Sequence, residues 1–170
     1  MGLVLRSVTV GLATIAVSHL PAASAQPALQ VVYTKAAFGP RISSNRLAIP
    51  DTSEHYLFQS FRIDRGRTDT PEFVVEEEHV WVQGELRGKV ATISGFSIYR
   101  MKGGDQMFVR WQADPTPKGA RTDGEPAIES GMNTIVGGTG RYARARGTGI
   151  YRTYATGAVT EENILSVTVP

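Results

Sequence analysis

The 170-residue chain contains no cysteine. This absence excludes disulfides, thiol catalysis, cysteine-ligated zinc and iron–sulfur clusters. The chain also lacks a strong charge of either sign, since 18 Lys and Arg against 16 Asp and Glu give a net charge of +2. A balance this small does not predict a nucleic-acid partner. The composition, 41% hydrophobic and 20% charged, is that of a folded domain rather than a disordered chain.

No apolar run is long enough to span a bilayer, and the first 25 residues instead have the pattern of an export signal. Arg6 is followed by an apolar segment at residues 8–17 and by the cleavage pattern Ala23-Ser24-Ala25. An uncleaved anchor is the alternative, but the apolar segment is short for stable membrane insertion. We therefore expect a cleaved signal peptide at 1–25 and a secreted or periplasmic protein. The lack of cysteine fits a bacterial envelope protein.

Residues 26–170 show the pattern of one all-β domain. Short segments rich in β-branched and aromatic residues alternate with Gly-rich turns, and no long amphipathic helix interrupts them. This pattern predicts a sandwich or a barrel. We expect irregular structure at 39–55 and 113–126, which are rich in Pro, Gly and small polar residues. The predicted strands cover residues 29–34, 56–63, 73–82, 90–101, 106–112, 133–136, 149–155 and 164–169.

The sharpest motif is the glycine-rich segment at residues 137–149. It is not a dinucleotide fingerprint, because Gly147 and Gly149 interrupt any helix after the first glycines and two strand-like segments are all that remain of the given sequence. We assign the glycines a structural role, since they permit positive φ angles and close backbone approach at a turn. The turn glycines are Gly137, Gly138, Gly140 and Gly147.

The pattern Gly-Gly-Thr-Gly-Arg-Tyr-Ala-x-Ala-Arg-Gly-Thr-Gly, beginning at Gly137, resembles the signature of the allene oxide cyclase and dirigent barrel superfamily. The match extends weakly upstream through residues 103–111. The resemblance implies a bacterial allene oxide cyclase barrel-like protein: a single antiparallel eight-stranded, calycin-like β-barrel that needs no cofactor and forms homodimers or homotrimers. The catalytic residues of the plant families have no matching positions here, so their activities do not transfer.

Two functions follow from such a barrel. It binds a small hydrophobic molecule in its interior, with cofactor-free cyclase or isomerase activity if it is an enzyme. The alternative is a non-catalytic structural envelope protein whose barrel core is filled by side chains.

Candidate site residues are those that could face the barrel interior. In the run Glu76-Glu77-Glu78, strand alternation separates Glu77 from its neighbours, so we expect a carboxyl group inside; a solvent-exposed strand end is the alternative. With Arg110 and Tyr151, Glu77 forms our set of catalytic candidates. His55 and His79 lack metal-ligand spacing, so no metal site is predicted. The ligand-binding candidates are Phe58, Trp81, Phe96, Phe108 and Trp111.

Overall fold

A computed structural model describes residues 27–51, 54–121 and 124–170. The predicted signal peptide, residues 1–25, lies outside the described residues. The all-β prediction is confirmed, because ten strands form a single antiparallel sheet. No helix in the described ranges is long and apolar enough to cross a membrane. The strands are β1 (Leu29–Lys35), β2 (Arg41–Ala48), β3 (His55–Asp64), β4 (Arg67–Thr68), β5 (Val75–Arg87), β6 (Val90–Met101), β7 (Gln106–Ala113), β8 (Ala127–Gly138), β9 (Arg146–Tyr154) and β10 (Glu161–Thr168).

The sheet curls into a half-barrel and does not close. Its strand order is β2-β3-β5-β6-β7-β8-β9-β10-β1-β4, so β2 and β4 are free edges. The predicted closed eight-stranded, calycin-like barrel is therefore wrong in both strand number and closure. Strand β4 has only two residues, each paired with β1. An edge this short offers too few backbone groups to complete a ladder with β2.

Strand β2 was missed because its sequence carries no hydrophobic signal. The segment 39–55 was expected to be irregular, yet β2 pairs with β3 over most of its length. All eight residues of β2 are exposed, and they include Arg41 and Arg46. Charged and polar side chains are typical of an edge strand, which is held by backbone hydrogen bonds rather than by burial. In the described part of the second segment, 113–121 and 124–126, β7 ends at Ala113 and an isolated bridge joins Ala120 to Pro126.

A β-bulge in β5 decides which side chains face the interior. The register against β6 shifts between Val75 and Glu77. Val75 is buried before the shift, whereas Glu78 and Val80 are buried after it. Because an extra residue reverses the alternation of faces, a strict period of two cannot be followed through this segment.

The glycine-rich segment forms the turn between β8 and β9, with a single 3-10 turn at Gly140–Tyr142. Gly140 has a φ of 51° and packs so tightly against the Asp105 carboxylate that a Cβ atom would collide with it. The Arg141 amide donates to Asp105 Oδ2 at 3.2 Å. Tyr142 is buried and packs edge-on against Phe73, with 5.9 Å between ring centroids. The turn thereby covers one end of the half-barrel.

The apolar core fills this same end of the interior. It combines alternate residues from both halves of the sheet with the buried ring of Tyr142. Where β1, β8, β9 and β10 leave this core, their inward-facing side chains become polar, and a cavity opens beyond them. The fully apolar end is built mainly by Val31, Tyr33, Phe73, Tyr99, Met101, Met107, Val109, Ile135, Leu165 and Val167.

Candidate functional site

The interior cavity has a volume of about 430 Å³. Its wall has two chemically different parts. Apolar side chains come from β3, β5, β6 and β7. Polar or charged side chains come mainly from β1, β2, β8, β9 and β10, with Glu78 from β5. The apolar part is Phe58, Val80, Val82, Ile93 and Trp111; the polar part includes Lys35, Glu78, Glu129, Asn133, Tyr151, Glu161 and Asn163.

The floor of the cavity is a buried ion cluster around Lys35. Its ammonium Nζ lies 2.6 Å from Glu161 Oε1, 2.7 Å from Glu78 Oε2 and 3.2 Å from Asp64 Oδ2. The Lys35 side chain is 1% exposed and that of Asp64 is fully buried. Asp64 also accepts a hydrogen bond from Arg62 Nε at 2.9 Å. The cluster joins β1 and β10 on one side of the half-barrel to β3 and β5 on the other.

The charges of the cluster depend on one another. Burial alone would lower the pKa of Lys35, but Glu161, Glu78 and Asp64 outweigh it and raise that pKa above its ordinary value. Lys35 is therefore held as a cation. Burial, together with the negative charge of Glu161, raises the pKa of Glu78 despite the nearby ammonium.

A chain of amide hydrogen bonds continues from the cluster along the polar wall. Asn163 Nδ2 donates to Glu161 Oε1 at 2.9 Å, and Asn133 Nδ2 donates to Asn163 Oδ1 at 2.9 Å. All three residues are buried. Asn163 already bonds through both its Nδ2 and its Oδ1, whereas Asn133 bonds through its Nδ2. Within the described residues, the Asn133 Oδ1 is therefore the amide oxygen left to accept a hydrogen bond from a molecule in the cavity.

Glu129 and Tyr151 form a second polar pair above the floor. Tyr151 Oη donates to Glu129 Oε1 at 3.1 Å. Burial raises the pKa of Glu129, while the tyrosine hydrogen bond opposes the rise. Burial and then the charge of Glu129 raise the pKa of Tyr151. A carboxyl group with a raised pKa next to a hydroxyl donor can give or take a proton in a confined space.

Trp111 forms much of the apolar wall because Gly95 makes room for it. A Cβ atom on Gly95 would collide with the Trp111 ring. The pairing of β6 with β5 and β7 is continuous through Gly95. The other side of Trp111 meets the Tyr151 ring edge-on, with 5.8 Å between centroids.

No metal site emerges from these carboxylates. Lys35 Nζ lies where three carboxyl groups converge and so takes the position that a cation would need. His55 bonds to Asp51 at 2.6 Å and to Glu85 at 2.7 Å, away from the cluster. Within residues 27–51, 54–121 and 124–170, no group of three His, Asp or Glu side chains is arranged to hold a metal ion.

Of the three catalytic candidates, only Tyr151 lines the cavity. Glu77 lies on the opposite face of β5, where it pairs with Arg65 at 2.5 Å and His79 at 3.3 Å. Arg110 is exposed on the outer face of β7. The expected interior position of Glu77 and Arg110 is thus corrected. For Glu77 the cause is the β5 bulge, which turns Glu78 inward instead.

The ligand-binding candidates divide in the same way. Phe58 and Trp111 line the cavity, whereas Trp81 and Phe96 line a groove on the outer face of the sheet. Phe108 also faces outward and packs against Phe96, with 6.1 Å between ring centroids. Aromatic residues occupy both faces of these strands, so aromaticity alone does not identify the inner face.

The polar residues of the cavity wall were not predicted from the sequence, although the spacing of residues in β1 and β10 indicates them. In β1 the inward positions run Val31, Tyr33, Lys35, and in β10 they run Glu161, Asn163, Leu165. A charged residue that is spaced by two from buried apolar residues lies on the same face of the strand, and so it indicates a buried polar group. The pattern does not reveal which opposite charge balances it.

Comparison with models of known protein families, with curated proteins and with solved structures finds no match to this chain. The candidate site therefore rests on the chain's own geometry.

We predict that Lys35→Met destabilises the protein by about 3–5 kcal/mol, because it leaves buried carboxylates without their cation. Urea unfolding at neutral pH measures the change. Lys118→Met is the control, since that side chain is 73% exposed and its ion pair with Asp114 is 3.7 Å long; its cost should stay below about 1 kcal/mol. Adding Glu78→Gln to Lys35→Met should recover part of the loss. Equal stability of the Lys35 and Lys118 variants would contradict a structural role for the cluster.

Glu129→Gln should change how stability depends on pH. The folded-state pKa of Glu129 lies above its ordinary value of 4.5, so its contribution to stability is present at low pH and is lost as the pH rises through the folded pKa. Glutamine cannot lose a proton and removes this dependence. The stability of the variant relative to the native chain should therefore increase as the pH rises from 4.5 toward neutral. Urea unfolding across this range measures it, with Glu76→Gln on the exposed face of β5 as control. A relative stability that is flat or falls with pH would contradict the prediction.

Proposed function

We propose that this protein binds a small molecule with an apolar body and a polar group in the cavity of the half-barrel. The observation that carries the proposal is the division of one cavity wall into an aromatic and aliphatic part and a hydrogen-bonding part. A filled core, as in a purely structural envelope protein, would leave no such space.

The size and lining of the cavity suit one small ligand. Its volume of about 430 Å³ lies within the usual range for small-molecule sites. Its lining is more polar than that of most such sites, with the apolar residues gathered on one side. Phe58 and Trp111 offer ring faces to the body of the ligand, and Ile93 and Val82 complete this wall. The apolar body makes the ligand class hydrophobic, as the family resemblance implies.

The polar wall selects the functional group of the ligand. Asn133 offers its amide oxygen, and Tyr151 offers a hydroxyl group that donates or accepts a hydrogen bond. On the open side, Arg41 and Arg46 also line the cavity, and the Arg46 guanidinium stacks on the Tyr56 ring at 3.1 Å from its centroid. These groups favour an oxygen-bearing ligand, such as one with a carbonyl, hydroxyl or carboxylate group.

A second candidate function is cofactor-free isomerisation or cyclisation of the same ligand. The Glu129–Tyr151 pair favours it, because the carboxylate can take a proton from one ligand carbon and return it to another, with no net gain or loss of atoms or electrons. Tyr151 would stabilise negative charge on a ligand oxygen during this transfer. In this proposal Tyr151 keeps its catalytic role, Glu129 replaces Glu77, and no cofactor takes part.

The remaining expectations belong to the same proposal. The glycine-rich segment at residues 137–149 supports a relationship to the allene oxide cyclase and dirigent barrel superfamily, and with it assembly into homodimers or homotrimers. The pattern of residues 1–25 supports export to the periplasm or outside the cell. Val90, which is 69% exposed at the β5–β6 hairpin, offers an apolar contact for such assembly.

The cavity is tested by filling it. Ile93→Trp should weaken binding of the fluorescent probe 1-anilinonaphthalene-8-sulfonate by at least about tenfold, because the indole occupies the space of the ligand. Val90→Trp adds the same side chain to the same strand at an exposed position and should leave probe binding unchanged. A native chain that does not bind the probe, or equal binding by the two variants, would contradict a ligand-holding cavity.

Native mass spectrometry of the protein purified from its own host then separates carrier from enzyme. A co-purified small molecule supports binding. Incubation of this complex in D₂O should place carbon-bound deuterium in the molecule if Glu129 transfers protons, and Glu129→Gln should abolish the exchange. No exchange with the native protein contradicts the catalytic candidate. A molecule-free mass in every preparation would instead favour the structural alternative.

A further inference from the structure

The outer face of the sheet carries a second groove of about 940 Å³, which shares Asn45, Ser60, Val82 and Trp111 with the lining of the interior cavity. It crosses six neighbouring strands, from β2 to β8 in sheet order. Its outward side chains alternate with the cavity-facing ones: Trp81 in the groove lies between Val80 and Val82 of the cavity wall. Nothing in the proposed function uses this face.

The first feature of the groove is a row of rings that crosses the strands. The residues of this row are direct cross-strand neighbours in the register. The rings of Phe61 and Trp81 stack with 4.8 Å between centroids, and Trp81 is 40% exposed. The row runs Ser43, Phe61, Trp81, Phe96, Arg110, Thr134.

The second feature is a parallel row of four amides and one hydroxyl, which ends at Met132. It lies two residues further along each strand, so it follows the aromatic row at about 7 Å. Its members are again direct cross-strand neighbours. Amide side chains both donate and accept hydrogen bonds, and those of Gln59, Gln83 and Gln112 are exposed. The row runs Asn45, Gln59, Gln83, Ser94, Gln112, Met132.

The third feature is the charge of the groove. Arg110 is its one ionisable lining residue in the part of the chain that the structure describes. Its guanidinium has no ion pair or side-chain hydrogen bond with another described residue, and it stands at the end of the row of rings. No Asp or Glu among the described residues lines the groove to balance it. The groove therefore complements an anionic ligand.

We propose that this groove binds a linear polysaccharide that contains acidic sugars. The flat faces of sugar rings present C–H groups, whose partial positive charge suits the negative face of an aromatic ring. Sugar hydroxyls donate and accept hydrogen bonds, as the amide row requires. A sugar carboxylate pairs with the two parallel N–H donors of Arg110.

The geometry of the two rows favours a chain rather than a single sugar. Six strands at about 4.8 Å spacing give a row about 24 Å long, which accommodates several linked sugars side by side. The three rings, Phe61, Trp81 and Phe96, lie along one edge of this path on neighbouring strands, and hydrogen-bonding groups lie along the other. A protein with an apolar surface would bury the exposed glutamine amides without giving them hydrogen bonds, and this costs free energy.

Isothermal titration calorimetry with oligogalacturonate at physiological salt tests the proposal on the full mature chain. We expect binding by the native protein and at least about tenfold weaker binding by Trp81→Ala and by Arg110→Gln. Phe38→Ala is the matched control, because Phe38 is 38% exposed but lies outside the groove; it should bind like the native chain. Arg110 is exposed, so we expect Arg110→Gln to leave the fold intact. This variant therefore tests the groove even if Trp81→Ala does not fold.

Poly-L-glutamate and a neutral cellulose oligosaccharide separate charge from sugar recognition. Much weaker binding of both than of oligogalacturonate supports the proposal. Equal binding of poly-L-glutamate would reduce the interaction to charge and overturn it, and so would the absence of oligogalacturonate binding. Equal binding of the neutral oligosaccharide would overturn the acidic specificity.

Sedimentation tests whether the groove is instead a contact between copies of the chain. A native oligomer that dissociates on Trp81→Ala would show such a contact and overturn the proposal. The interior cavity proposal is unaffected by any of these results.

Discussion

The buried ammonium group of Lys35 is the interaction on which the shape of this protein depends. In the sheet order β1 and β10 lie far from β3 and β5, and among the described residues the backbone pairing between the two sides is limited to the short β4, which follows β3 in the chain and pairs with β1. Lys35 draws Glu161 from one side and Asp64 and Glu78 from the other to within 3.2 Å. Burying these charges is costly unless each has a partner. The cluster therefore requires the sheet to curl, and it ties together a half-barrel that its edge strands leave open.

The same cluster divides the interior into two parts with different roles. On one side lies the apolar core, which is covered by the turn at Gly140–Tyr142 and stabilises the fold by burial. On the other side the cavity begins, with the ion cluster as its floor and the Asn133–Asn163 chain as its polar wall. A polar floor beneath an aromatic wall orients a ligand, because only one end of the molecule can satisfy each surface. The proposed site is a consequence of how the fold accommodates its buried charges.

Each strand places side chains on both faces of the sheet, and this limited how much of the site could be predicted from the sequence. Phe58, Trp111 and Tyr151 were expected in the interior, and the structure places them there. Trp81, Phe96 and Phe108 are equally aromatic but face outward, because alternation along a strand distributes large side chains to both sides. The bulge between Val75 and Glu77 then exchanged Glu77 for Glu78 at the inner face. A bulge forms where paired strands must twist or bend, and the sequence of one strand alone does not show where this happens.

Local patterns in the sequence by themselves determined the all-β class, the approximate position of most strands and the glycine-rich turn, because these depend on neighbouring residues and backbone conformation. Strand β6 lies at Val90–Met101, where alternation predicted it. Tertiary structure alone decided that the sheet has ten strands and two open edges, that the polar segment Arg41–Ala48 is a strand, and that Glu78 rather than Glu77 is buried. It also decided the partners of Lys35, the nearest of which in sequence is 29 residues away. Burial of a charge is favourable only in the presence of its distant counter-charges, so its free energy is a property of the folded sheet and not of any one strand.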